Sequence, residues 1–209
     1  MEKINNRLAN KIKKHLKTDE QPIIVLISGA NGIGKTTIAF YLSNILKIKQ
    51  RVGLGTVVKT LIAMTSNRKK LNYQNMDNNI SSLLSLNTLH KQSLIISKTI
   101  NLLIQKYISE GISCIIEGVQ LFPQNLHGKR IHFHLYVDNM EKYKKQLQDC
   151  DTRKPRILST KEFNNLMNLD ENLKTSMNNS SVYFIGNSMS LIAIINKMLH
   201  NIEISLNIK

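Results

Sequence analysis

The residues with the clearest chemical potential lie between positions 29 and 37. Residues 29–36 read GANGIGKT and match the pattern G-x-x-x-x-G-K-[ST] at every fixed position. Glycines let the backbone wrap closely enough for its N–H groups to point at phosphate oxygens. A lysine directly after such a turn can reach the β- and γ-phosphates, and the next hydroxyl can bind Mg²⁺. The pattern therefore predicts that residues 29–36 form a phosphate-binding loop for a nucleoside triphosphate.

The flanking sequence provides the context that such a loop requires. Residues 23–27 (IIVLI) form an apolar, largely β-branched run, which is typical of a strand buried on both faces of a parallel sheet. Apolar residues then recur at helical spacing from Ile38 to Leu46, and the start of a helix adds positive charge. A simple glycine turn between strand and helix is the alternative. The residues expected to hold the nucleotide are Gly29, Asn31, Gly32, Ile33, Gly34, Lys35, Thr36 and Thr37, with Thr36 also binding the metal.

Few carboxylates are available to assist a phosphoryl transfer. Asp77 is the single acid between positions 21 and 109, and it falls in a polar stretch with little else to recommend it. Glu110 precedes a predicted strand at 113–116, whereas Glu117 follows that strand directly. Ligands of doubly wound sheets bind beyond the carboxyl ends of the strands. We therefore expect Glu117 to bind Mg²⁺ through water or to engage an acceptor hydroxyl; an ordinary loop carboxylate is the alternative.

Three further features have two interpretations each. Asp138 follows a predicted strand at 131–137 and is either a second site carboxylate or the N-cap of the next helix. The basic run at 153–156 (RKPR) is either a solvated charge run or part of a lid that brings Arg153 and Arg156 onto the transferring group. His132 and His134 alternate along a strand and so share one face, as a metal pair or as core residues.

The order of elements predicts the fold class. Predicted strands at 23–27, about 52–54, 113–116, 131–137 and 182–185 alternate with helical segments, which indicates an α/β fold with a doubly wound parallel sheet of about five strands. Residues 1–20 are predicted to form a basic amphipathic helix with an aliphatic stripe that docks onto the rest or, less favoured, lies on a membrane surface. Residues 21–209 are predicted to form one domain, with a lid near 150–158.

The composition of the chain indicates which classes of partner to expect. The formal net charge is +15, which favours anionic partners, but only six of the 29 basic residues are arginine, the residue best suited to nucleic-acid recognition. A nucleic-acid partner is therefore possible but not favoured. Two cysteines, the lack of an apolar run of about 18 residues and a charged N-terminus favour a cytoplasmic protein without a membrane span.

Two segments resemble a known family. Residues 29–36 and 110–123 (EGISCIIEGVQLFP) are similar to the 2-phosphoglycerate kinase group of P-loop kinases, which has an IIEGVHLVP segment after its third strand. Residues 153–156 resemble the basic lid of that group. The resemblance implies a P-loop NTPase architecture like that of nucleoside monophosphate kinases, ATP and Mg²⁺ as cofactors, and Lys35, Glu117, Arg153 and Arg156 as catalytic residues.

The same comparison does not support 2-phosphoglycerate itself as the acceptor. Residues 54–59 (LGTVVK) contain no carboxylate where the family has Thr-Asp followed by Arg, and Gln120 stands where the family has histidine. We expect an ATP-dependent kinase that phosphorylates a hydroxyl of a small anionic molecule. The alternatives are a nucleoside or polynucleotide-end kinase, and an ATP-binding regulatory module with little turnover.

Overall fold

Five parallel strands form the centre of the molecule. The computed structural model describes residues 3–18, 22–64, 86–148, 156–178 and 181–208. Its strands are β1 (Ile24–Gly29), β2 (Gln50–Gly53), β3 (Cys114–Glu117), β4 (Ile131–Tyr136) and β5 (Val182–Gly186). They pair in the order β2-β3-β1-β4-β5, and every pairing is parallel. The predicted α/β fold class is confirmed.

Helices connect the strands. They are α1 (Asn6–Thr18), α2 (Lys35–Leu46), α3 (Leu54–Met64), α4 (Leu86–Ser109), α5 (Met140–Gln148), α6 (Thr160–Met177) and α7 (Leu191–Ser205), with a short 3₁₀ turn at Pro123–Asn125. Helix α4 ends where Gly111 takes a φ of +67°, a left-handed conformation that glycine adopts without strain. None of the described helices is long and apolar enough to cross a membrane.

Both faces of the sheet are buried because β1 alternates its side chains between two apolar clusters. Val25 and Ile27 belong to the larger cluster, which includes residues of α1, α2, α6 and α7. Ile24 and Leu26 belong to a second cluster with residues of α3 and α4. Every residue of β1 is buried, which explains why its sequence shows no alternation with polar residues.

Helix α1 packs against the helices of the larger cluster. Its Leu8, Ala9 and Ile12 are buried, and it contacts α7 and α2. Lys11 Nζ lies 2.6 Å from Glu203 Oε1 of α7. The aliphatic stripe of this basic helix is therefore used in packing within the chain.

Strand register brings the chemical groups together at one edge. Glu117, the last residue of β3, lies beside Gly53 of β2 and Ile27 of β1. Two residues after Ile27, β1 ends at Gly29 and the phosphate-binding loop begins. The carboxyl ends of parallel strands thus place Glu117 next to that loop.

Candidate functional site

The phosphate-binding loop requires glycine at two positions in particular. Gly29 has a φ of +139°, and a Cβ there would overlap the carbonyl oxygen of Leu135 on β4. Gly34 has a φ of +102° and is the N-cap of α2, where no side chain caps the helix. The first amides of a helix have no intrahelical acceptor. The loop therefore presents a positively polarised helix start that suits an anion.

Lys35 lies inside this loop. Its Nζ donates to the carbonyl oxygens of Gly29 at 3.1 Å and Ala30 at 2.8 Å, and the residue is only 8% exposed. Burial lowers the pKa of Lys35 to about 8, with Arg156 adding to the decrease and the charges of Glu117 and Asp170 opposing it. A phosphate placed here would meet a poorly hydrated cation, and the strength of the attraction increases as water is excluded.

Thr36 and Glu117 form the second part of the site. The Thr36 hydroxyl donates to Glu117 Oε1 at 2.9 Å, and a Cβ on Gly53 would lie 3.2 Å from that oxygen. A hydroxyl and a carboxylate are hard oxygen donors of the type that Mg²⁺ prefers. The two residues predicted to bind the metal are therefore adjacent, and their chemistry fits Mg²⁺.

The other predicted residues surround this pair. Thr37 is exposed in the first turn of α2 and Ile33 is buried. The Asn31 carbonyl accepts a hydrogen bond from the Tyr143 hydroxyl at 2.6 Å, which ties the loop to α5. Arg156 is close enough to Lys35 to lower its pKa, and the Arg156 amide donates to Leu147 O at 2.9 Å. Arg153, Asp77 and most of the predicted lid lie outside the described residues.

A carboxylate that sequence reasoning missed lies near Lys35. Asp170 of α6 is 2% exposed, and its Oδ2 accepts the Val137 amide at 2.8 Å. Its Oδ1 has no partner among the described residues, and burial raises its pKa to about 6. The available signal was an acid within the apolar stripe of α6, which contains Leu166, Leu169, Leu173 and Met177.

The N-cap interpretation of Asp138 is wrong by one residue. The side chain of Asn139 accepts the Lys142 amide at 2.9 Å and caps α5. Asp138 instead accepts from the amide and hydroxyl of Ser188 at 2.6 and 2.7 Å. It therefore joins the end of β4 to the loop after β5, because its carboxylate points across the sheet edge rather than along α5.

His132 and His134 share a face, as their alternation predicts. Both bond the Ser28 hydroxyl, at 2.8 Å from His132 Nε2 and 2.9 Å from His134 Nδ1. In the part of the chain that the structure describes, no group of three or more His, Cys, Asp or Glu side chains could hold a metal. The two rings are buried, and their partner Ser28 was not anticipated from the sequence.

Comparisons with known proteins show what the chain resembles in sequence and in fold. No family model matches the chain. It is 26% identical over 166 residues to a 2-phosphoglycerate kinase of Methanopyrus kandleri, covering 69% of this chain and 49% of the relative. It is 27% identical over 110 residues to a 2-phosphoglycerate kinase of Pyrococcus furiosus, covering 49% of this chain and 36% of the relative. The matched region thus spans half or less of these curated relatives.

A solved structure supports the fold. The shikimate kinase of Acinetobacter baumannii, solved in complex with shikimate, superposes with a TM-score of 0.59 at 14% identity, covering 94% of this chain and 99% of that one. At this identity the likeness concerns the fold alone. The chain therefore shares the fold of this shikimate kinase and resembles the 2-phosphoglycerate kinases in sequence.

Proposed function

We propose that the chain is an ATP-dependent kinase that transfers the γ-phosphoryl group of ATP to a hydroxyl of a small anionic molecule. The observation that carries this proposal is the position of the hydrogen-bonded Thr36–Glu117 pair beside the buried Lys35. Phosphoryl transfer needs mainly positioning and charge neutralisation, and these residues supply both. The names of the relatives in sequence support the same reaction class.

The loop would hold the triphosphate. Lys35 would exchange its two carbonyl partners for β- and γ-phosphate oxygens, and Thr37 would contact the α-phosphate. Thr36 and Glu117 would hold Mg²⁺, with Glu117 acting directly or through water. When bound, Mg²⁺ would neutralise the charge that develops on the phosphate oxygens during the transfer.

Glu117 and Arg156 would act in the transfer itself. The acceptor oxygen forms a bond to the γ-phosphorus while the bond to the β–γ bridging oxygen breaks, and the acceptor proton must leave. Glu117 can accept that proton or orient the hydroxyl. Arg156, near Lys35, would stabilise charge on the transferring group. We expect Arg153 to do the same from the lid near 150–158.

The charge of the surroundings favours an anionic acceptor. Residues 22–64 contain no acidic side chain, and they supply the loop, α2, β2 and α3. An acceptor bound beside Gly53 and α3 would meet no carboxylate from these elements. The acid beside Gly53 is Glu117 of the neighbouring strand β3. A phosphorylated or carboxylated hydroxy compound is thus the preferred acceptor class.

Two alternatives have specific observations in their favour. The net charge of +15 would suit the 5′ end of a polynucleotide, in which case binding should weaken steeply with salt even without ATP. The acid-free stretch at 54–59 would suit a regulatory module that binds ATP and turns over little.

A transfer assay with labelled ATP tests the proposal. Acceptors would include 2-phosphoglycerate, other phosphorylated hydroxy acids, sugars, nucleosides and an oligonucleotide with a free 5′ hydroxyl. We expect phosphorylation of a small anionic acceptor. Labelling of the oligonucleotide alone would favour the polynucleotide kinase. The regulatory module would be favoured if the wild type binds ATP, labels no acceptor and hydrolyses ATP no faster than Glu117→Gln does.

A further inference from the structure

A cavity lies at the end of the strands opposite to the phosphate-binding loop. Its volume is about 410 Å³, and its lining includes Lys129, Arg130, His132 and Ser181. Arg130 and Ser181 directly precede β4 and β5, so the cavity is at the amino ends of these strands. The loop after Gly29, in contrast, is at the carboxyl end of β1.

The cavity wall is positively charged. Arg130 is fixed in place, because its Nη1 donates to Gly128 O at 2.8 Å and its Nη2 donates to Pro123 O at 3.0 Å. A guanidinium has five N–H donors in a planar fork, so these two bonds leave others for a ligand. Lys129 adds a second positive charge. None of the described residues that line the cavity is acidic.

His132 supplies a buried polar atom that lacks a partner. The residue is 2% exposed, and its Nε2 is bonded to Ser28. The remaining ring nitrogen, Nδ1, has no hydrogen-bond partner among the described residues. A buried polar atom left unpaired is costly, and a ligand in the cavity that His132 lines would supply the missing partner.

The hydrogen bonds of Ser28 are compatible with two forms of His132. Burial lowers the pKa of both His132 and His134 to about 3, so each ring is neutral and has one N–H. The Ser28 hydroxyl has one hydrogen and contacts both rings, and it also lies 3.4 Å from Phe133 O and 3.6 Å from Met177 Sδ. It can therefore donate to one ring, or accept from both rings and donate to one of these longer contacts.

Nearby cations act on both rings. Lys35 and Lys174 lower the pKa of His134, and Arg130 lowers the pKa of His132, so these charges do not select one tautomer of His132. When Ser28 donates to His132 Nε2, the hydrogen of that ring is on Nδ1 and can be donated to an acceptor. An anion at Nδ1 would stabilise this form.

We propose that this cavity binds the oxyanion group of a small carboxylated or phosphorylated metabolite, held by Arg130, Lys129 and the Nδ1–H of His132. The site is separate from the phosphate-binding loop and does not depend on the proposed kinase activity. Its three donors come from one short segment, residues 129–132, whose Arg130 is held by two carbonyls. Charge-assisted hydrogen bonds of this kind favour carboxylate and phosphate over neutral ligands.

Nuclear magnetic resonance of the full chain with ¹⁵N-labelled histidine tests the proposal. The probes are inorganic phosphate and acetate, added separately at constant ionic strength, to the wild type and to Lys35→Ala, which weakens anion binding at the loop. The signals of His132 are assigned from their loss in His132→Gln. We expect a saturable shift of the His132 ring nitrogens in both proteins, with Nδ1 protonated. A response to phosphate alone identifies a phosphorylated ligand, and a response to acetate as well identifies a general oxyanion site.

Two variants test whether the anion response of His132 arises from binding in this cavity. Arg130→Gln should weaken the anion response at His132 by about tenfold or more, whereas Arg51→Gln on β2 should leave it unchanged. The wild-type titration keeps the proposal testable if Arg130→Gln is unstable. The proposal is overturned if neither anion shifts His132, if the shift is lost in Lys35→Ala and retained in Arg130→Gln, or if Nδ1 is unprotonated in the bound state.

Discussion

Glu117 is the residue on which the proposed chemistry depends. It lies at the carboxyl end of β3, accepts a hydrogen bond from Thr36 at 2.9 Å and acts electrostatically on Lys35. Glu110 lies before the same strand, where it pairs with Lys106 at 2.6 Å. The two acids therefore lie at opposite ends of one strand. Glu110 is a matched control because it is far from the phosphate-binding loop along that strand.

Glu117→Gln should lower phosphoryl transfer by about 10²- to 10⁴-fold, because an amide neither accepts the acceptor proton nor carries charge to the metal. ATP affinity should change little, because the loop and Lys35 are retained. Turnover and nucleotide affinity would be measured separately, with Glu110→Gln expected to match the wild type. Equal turnover of the two variants would remove Glu117 from the mechanism.

Burial of Asp170 makes the free energy of unfolding depend on pH. Its pKa is raised by burial from 3.8 to about 6, so the folded state keeps a proton that the unfolded state releases as pH rises through 4. The free energy of unfolding therefore falls between pH 4 and 6 by up to about 3 kcal/mol and stays lower above pH 6. Asp170→Asn removes this charge and keeps an oxygen for the Val137 amide.

We expect Asp170→Asn to raise the free energy of unfolding by about 1–3 kcal/mol at pH 7.5, with the gain shrinking towards pH 4. Urea denaturation at several pH values measures the effect. Glu171→Gln is the control, since that neighbouring side chain is 70% exposed and should alter stability little. A pH profile identical to that of the wild type would contradict the account of Asp170.

Sequence reasoning predicted the position of some candidate site residues and missed others for definable reasons. Glu117 could be predicted because its position follows from one strand boundary and a shortage of other acids. Asp170 could not, because its role depends on how α6 packs against the end of β4. Ser28 likewise gains its two histidine partners only from the register between β1 and β4.

Two glycines of the phosphate-binding loop are constrained by their backbone conformation and by the atoms around them. Gly29 and Gly34 both have positive φ angles, but their surroundings differ. A Cβ at Gly29 would overlap the Leu135 carbonyl, whereas a Cβ at Gly34 would have no neighbour within 4 Å. The first glycine is therefore needed for both space and conformation, and the second for conformation.

Gly29→Ala should destabilise the fold more than Gly34→Ala. Left-handed backbone costs a non-glycine residue about 1–2 kcal/mol, and overpacking against Leu135 adds about 1–3 kcal/mol. Thermal and urea denaturation of the two variants would measure the difference. Equal losses of stability would contradict this account, because they would mean that a Cβ at Gly29 fits beside Leu135 without a free-energy penalty.

Secondary structure was easiest to predict where burial is complete. The buried strands β1 and β3 lie within a residue or two of their predicted bounds. Strand β2 was predicted at 52–54 but spans Gln50–Gly53, and Leu54 begins α3. This short edge strand is partly exposed, so its sequence has no continuous apolar run and the pairing with β3 determines its bounds.

At the scale of the whole molecule, α1 extends the core beyond the sheet. Ile12 is fully buried and belongs to the larger apolar cluster, whereas Lys14, two residues away, is exposed. A helix that lay on a membrane surface would need this apolar stripe for lipid. Its burial against the rest of the chain accounts for the stripe without a membrane.

Ile12→Ala should lower the free energy of unfolding by about 2–5 kcal/mol, because it leaves a cavity in the core. Lys14→Ala should leave it within about 0.5 kcal/mol of the wild type. Urea denaturation followed by circular dichroism checks both. If the two variants unfold at the same urea concentration, α1 does not contribute to the cooperative core.

The central claim is that the loop after β1 binds a triphosphate through its amides and Lys35. Isothermal titration calorimetry with Mg²⁺ and a non-hydrolysable ATP analogue tests it most directly, with circular dichroism confirming that each protein is folded. We predict saturable one-to-one binding to the wild type and affinity reduced by about tenfold or more in Lys35→Ala. No heat of binding in the wild type, or equal affinity in the two proteins, would contradict the account.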